Sequence, residues 1–165
     1  NEGECIIDFT PTTKNLTGSY GPRGVKVAID EASEFKSGRA DVAGLILGQG
    51  NDELSITGFA ERTFELGDAG GDDLYRVSLG QAASTKKLGV INLSDAGGAF
   101  DEVIIEQRYN NNPVFLNHHQ VTNGREMLNF VGSGVDRLTL AGFLVVKSYP
   151  IGGFGIRHGR VSFEW

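Results

Sequence analysis

The stretch Asp68-Ala69-Gly70-Gly71-Asp72-Asp73-Leu74-Tyr75-Arg76-Val77-Ser78-Leu79 carries the pattern that decides the fold. Its first half is turn chemistry. Aspartate carboxylates bond amides a few residues on, and glycines accept the positive φ that tight turns need. Its second half alternates, with Tyr75, Val77 and Leu79 on one face, which is the period of a strand buried on one side.

The same pairing of turn and strand recurs in both directions from this point. Strand patterns cover 5–9, 25–30 (Val25, Val27 and Ile29 inward), 42–47, 54–60, 62–66, 88–93, 103–109, 114–121, 127–131, 137–147 and 154–165. Segment 42–47 is apolar on both faces, as a covered central strand would be. Helical spacing is confined to Ile29, Ala32 and Phe35 within 28–36, enough for one turn. These patterns predict a single all-β domain over 1–165, an antiparallel β-sandwich of jelly-roll type with about ten to twelve short strands.

One internal echo stands out. Phe64-Glu65-Leu66-Gly67 leads into Asp68-Ala69-Gly70-Gly71, and Ile91-Asn92-Leu93-Ser94 leads into Asp95-Ala96-Gly97-Gly98, each followed by acids and a strand. Convergent turn chemistry is the plain account of it.

The chain has 165 residues with 24 glycines and only 4 prolines, so tight turns are numerous and there is no collagen-like period. Its 15 basic and 21 acidic residues give a formal charge of −6, and the basic residues form no stripe. That field disfavours nucleic acid and anionic membranes as partners. No apolar run is long enough for membrane insertion by a helix. Asn1 in place of Met implies a terminus either processed, which would fit secretion, or trimmed, which would carry no information. Cys5, the lone cysteine, allows no internal disulfide and reads as a small buried apolar residue.

Among candidate sites, the acidic glycine loop comes first. Asp68, Asp72 and Asp73 place several carboxylate oxygens near glycine carbonyls, a donor set suited to calcium, which accepts six to eight oxygens in flexible geometry. Asp95, Asp101 and Glu102 form a second candidate, and Asn51-Asp52-Glu53 a third. None has EF-hand spacing, and solvated acidic turns account for the same residues.

For a ligand, Arg108, Tyr109, Asn110, Asn111, Asn112 and His119 combine an aromatic face, amides and a cation, the groups that stack on a sugar and bind its hydroxyls. Tyr20 and Tyr149 are further loop aromatics. Adjacent His118 and His119 point to opposite faces of a strand and cannot chelate one ion together. No nucleophile elbow, phosphate loop or dinucleotide motif is present.

The expectation is a non-enzymatic recognition module, extracellular or on a virion surface. It binds a glycan or protein partner through its loops, with Ca2+ as the candidate stabilising ion and a homo-oligomer as a possible state. One alternative is a polysaccharide lyase using Arg108, Tyr109 and His118 or His119. The other is a structural capsid or spike subunit.

Overall fold

A computed structural model of the chain describes residues 5–21, 23–30, 33–37, 42–60, 62–80, 89–107, 114–117, 119–132, 134–142, 146–148 and 161–164. Among these, sixteen strands form: β1 Cys5–Asp8, β2 Thr17–Gly21, β3 Gly24–Asp30, β4 Ser33–Ser37, β5 Val42–Ile46, β6 Glu53–Ile56, β7 Thr63–Gly67 and β8 Leu74–Leu79, then β9 Gly89–Ser94, β10 Glu102–Gln107, β11 Val114–Asn117, β12 Gln120–Thr122, β13 Glu126–Phe130, β14 Arg137–Gly142, β15 Val146–Ser148 and β16 Val161–Glu164. The first sheet runs β1-β5-β7-β9-β13-β12-β11-β15, and the second runs β16-β14-β10-β8-β6-β2-β3-β4.

The order of strands reveals how the chain is wound. It passes from β5 in the first sheet to β6 in the second, back to β7, across to β8, and on through β9 and β10. Each returning strand lies beside and parallel to its predecessor: β5 with β7, β7 with β9 and β9 with β13, and likewise β2 with β6, β6 with β8, β8 with β10 and β10 with β14. The result is a coil of stacked rungs, each made of one strand from either sheet.

Alternation then fills the space between the sheets. Phe64 and Leu66 of β7, Ile91 and Leu93 of β9, Leu54 and Ile56 of β6, and Tyr75, Val77 and Leu79 of β8 are all buried in one shared core. Tyr20 stacks on Phe64 across the sheets, with ring centroids 3.8 Å apart. Fully burying such a side chain contributes roughly 1.5–3 kcal/mol.

Hairpins interrupt the winding near each end. β2, β3 and β4 pair antiparallel, and this extends the second sheet past the first rung. Val25 and Val27 of the extension are buried, and Phe35 meets Phe9 edge to face. A stack of rungs needs such a cap, because its terminal rung would otherwise expose the core.

The all-β, two-sheet expectation holds, and the antiparallel jelly-roll pairing does not. The sheets are mixed, with parallel pairs along their centres. Inward and outward residues alternate identically in parallel and antiparallel strands, so periodicity cannot distinguish the two. The turn of helix in 28–36 is instead the β3–β4 hairpin. Tyr20 is a core residue of β2, a strand hidden by its glycines and serine rather than a loop position. Cys5 is exposed, because it opens an edge strand whose Ile7, not Cys5, packs on the core.

Register on β7 is testable by paired substitutions. Leu66→Ala should lower the unfolding free energy in urea by about 2–5 kcal/mol. Thr63→Ala, at an exposed position of the same strand, should stay within about 0.5 kcal/mol.

Candidate functional site

Four corners, 47–52, 68–73, 95–101 and 131–136, carry the chain from the first sheet to the second, and each ends in aspartate. Strand register places Glu53 beside Leu74, Leu74 beside Glu102 and Glu102 beside Arg137. The residues just before them, Asp52, Asp73, Asp101 and Asp136, therefore stack rung upon rung.

Each of these carboxylates accepts the amide of the residue one rung back. Leu16 N donates to Asp52 Oδ1 (2.7 Å) and Asp52 N to Asp73 Oδ1 (2.6 Å), then Asp73 N to Asp101 Oδ1 (2.7 Å) and Asp101 N to Asp136 Oδ2 (2.9 Å). The corner amides lie where the strand ladder stops, so without these oxygens they would be buried and unpaired. An outer row runs alongside: Asn51 N donates to Asn15, Asp72 N to Asn51, and Ala99 N and Phe100 N to Asp72. Glycines let the corners touch backbone to backbone; a Cβ on Gly98 would lie 1.6 Å from the Gly71 carbonyl oxygen.

Asp68 and Asp95 open two of the corners, in matching positions after the paired residues Gly67 and Ser94. Each closes a local turn, Asp68 on Gly70 N and Asp95 on Gly97 N, and Tyr75 Oη donates to Asp95 Oδ2 (3.1 Å). The geometry gathers two groups of carboxylates whose ligand atoms lie within 4.8 Å of one another: Asp52, Asp68 and Asp73, and Asp73, Asp95 and Asp101. Among the described residues, these buried acidic clusters are the places that could hold a metal ion. All five side chains are buried. Among the described residues, the ion pairs Lys26 and Lys36 with Glu34, and Arg76 with Glu53, lie at outward positions of the second sheet, away from these carboxylates.

Burial is the first cause of the electrostatics here. It raises the carboxyl pKa of Asp52, Asp68, Asp95 and Asp101, and amide donors pull each back in part. Asp73, buried and facing both Asp68 and Asp52, is pushed up to about 9. Burial and the neighbouring Asp95 drive the Tyr75 hydroxyl far above its ordinary value, which keeps it a donor.

Of the expected metal residues, Asp68 and Asp73 come together, joined by Asp52 from a different loop. Asp72 is exposed and braces the next corner. Asp95 and Asp101, expected as a separate candidate, meet the first group through Asp73. Of the expected ligand residues, His119 is exposed in the turn after β11, and its carbonyl accepts Phe130 N. Arg108, Tyr109, Asn110, Asn111, Asn112, His118 and Tyr149 lie outside the described residues. A cleft of about 580 Å³ on the second sheet is lined by Arg23, Lys26, Lys36 and Thr57 among others, and Glu34 holds both of its lysines.

A sequence signal for the corner was present. Gly48-Gln49-Gly50-Asn51-Asp52-Glu53-Leu54 and Gly132-Ser133-Gly134-Val135-Asp136-Arg137-Leu138 share one Gly-x-Gly-x-Asp-x-Leu pattern. Repetition of this kind marks a coil of rungs. Uneven spacing hides it, since successive ladder contacts span 36, 21, 28 and 35 residues.

Searches against protein-family models, curated proteins and solved structures find no match to this chain.

Two predictions follow from the corner. Asp101→Ala leaves the Asp73 and Gly98 amides unpaired and should cost about 1–3 kcal/mol for each in chemical denaturation. A carboxyl raised on folding stabilises fully below its unfolded value of 3.8 and loses that contribution as pH climbs through its folded value. In EDTA the melting temperature should therefore fall from pH 5 to pH 9, and Asp73→Asn should flatten that fall.

Proposed function

We propose that this chain is a non-enzymatic recognition module, extracellular or on a virion surface, binding a glycan or protein partner on a calcium-stabilised scaffold. The observation that carries the reading is a polar row on the outer face of the first sheet. Asn92 Nδ2 donates to Glu65 Oε1 (2.7 Å), and Asn129 Nδ2 donates to Asn92 Oδ1 (2.9 Å). Gln120 lies opposite Asn129 in register, which carries the row across β7, β9, β13 and β12.

Strand spacing of roughly 4.8 Å sets such side chains at regular intervals on a fixed plane. Amides donate and accept at once, which suits the hydroxyls of a sugar chain. Because neighbouring rungs hold them, little side-chain freedom is lost on binding. Residues 108–112 and His119 belong to the same proposal as a second contact, for their sequence adds an aromatic and a cation to the amides.

Calcium fits an oxygen-only set of carboxylates. An extracellular setting supplies it at levels that fill even weak sites, on the order of 10⁻⁴–10⁻³ M in dissociation constant.

Binding to an immobilised panel of neutral and uronate glycans tests the reading. Asn92→Ala and Asn129→Ala should each weaken capture about tenfold, a loss of about 1.4 kcal/mol. Capture unchanged in both variants would remove the row from the site. Unsaturated products released from a uronate polymer would replace the reading with a lyase.

A further inference from the structure

We propose that Asp68 Oδ1 and Asp73 Oδ2, with the Asp52 carboxylate beside them, hold a single calcium ion that clamps two successive rungs together. The proposal deepens the calcium part of the reading above and is independent of where a glycan binds.

In the two carboxylate groups every oxygen but two accepts a hydrogen bond. Asp52 accepts Leu16 N and Gly48 N on its two oxygens, and Asp101 accepts Asp73 N and Gly98 N. Asp95 accepts Gly97 N and Tyr75 Oη. Asp73 Oδ1 takes Asp52 N, and Asp68 Oδ2 takes Gly70 N. Asp68 Oδ1 and Asp73 Oδ2 are left, both buried without a hydrogen-bond partner, on side chains only 8% and 2% exposed. Asp68 and Asp73 belong, with Asp52, to one group in which one carboxylate oxygen of each residue lies within 4.8 Å of the others.

Two orphaned acceptors in one buried space need a positive charge between them, because an unpaired buried carboxylate oxygen costs more than a turn can return. Among the described residues no basic side chain is shown ion-paired there, which leaves a cation or a shared proton. The donors are oxygen throughout, so a hard ion is required and a transition metal is disfavoured. Magnesium retains its waters and insists on an octahedron, whereas calcium accepts the irregular geometry of carboxylates already fixed by backbone amides.

The stoichiometry also follows. In the second group, both oxygens of Asp95 and of Asp101 are engaged, and Asp73 is common to both groups, so one ion satisfies the cluster. Asp52 belongs to the rung of β5 and β6, and Asp68 and Asp73 to that of β7 and β8. The ion therefore ties neighbouring turns of the coil across the corner.

Calorimetric titration of the EDTA-treated chain with calcium chloride, paired with thermal melts, tests the proposal. The expected result is one ion per chain, a melting temperature raised by calcium and raised less by equal magnesium. Asp68→Asn should keep the fold, since its amide oxygen still accepts Gly70 N, and lose calcium affinity at least about tenfold. Asp73→Asn gives the same measurement should Asp68→Asn fail to fold, and Asp95→Asn should still bind one ion. No heat and no melting shift up to about 10 mM calcium, well past the weak extracellular range, would show that the pair shares a proton and overturn the proposal. Undiminished binding by Asp68→Asn and Asp73→Asn, or two ions per chain, would overturn it as well. Glycan capture lost in Asn92→Ala with calcium binding intact separates the two readings.

Discussion

The fold depends on a carboxylate accepting the amide of the residue one rung behind it. Strand ladders within each sheet satisfy the backbone only as far as the strands run. At each corner the chain must leave one sheet and enter the other within a few residues, and its amides pass beyond the end of the strand ladder. Asp52, Asp73, Asp101 and Asp136 resolve this by standing one above another, each serving the rung before it. Where this interaction is made, the two strands on either side are placed in register at the same moment.

That solution concentrates negative charge. Asp52, Asp73 and Asp101 are buried by the corners they hold, and Asp68 and Asp95 add to them from the first sheet's side of the corners. Most of the charge is spread over amide donors, which explains how Asp52 and Asp101 can be buried. The remainder falls on Asp68 and Asp73, the buried pair whose group could hold a metal ion. With the corners and the core committed to holding rungs together, polar side chains are left to the outward positions of the sheets. On the first sheet the Glu65, Asn92 and Asn129 row occupies that position.

How far the sequence reveals this depends on the kind of interaction. Strand 74–79 is legible in full, because one buried face leaves a period of two. Strands 17–21 and 33–37 are not, since Thr17-Gly18-Ser19-Tyr20-Gly21 has few apolar residues and becomes a strand by pairing with β3 and β6. The acidic loop 68–73 is recognisable as a place that could hold a cation. Which acids share it is not, because Asp52 lies 21 residues from Asp73 and is brought beside it only by the winding of the chain.

The sequence by itself determined an all-β chain of alternating strands and glycine–aspartate turns, for these are local properties of side-chain period and backbone freedom. Tertiary structure alone decided that the strands return in parallel, that Tyr20 belongs to the core, and that Asp72 faces outward while Asp52 joins Asp68 and Asp73. The physical reason is common to all three. Parallel stacking couples residues one full rung apart, and a rung here ranges from 21 to 36 residues, beyond the reach of any local pattern.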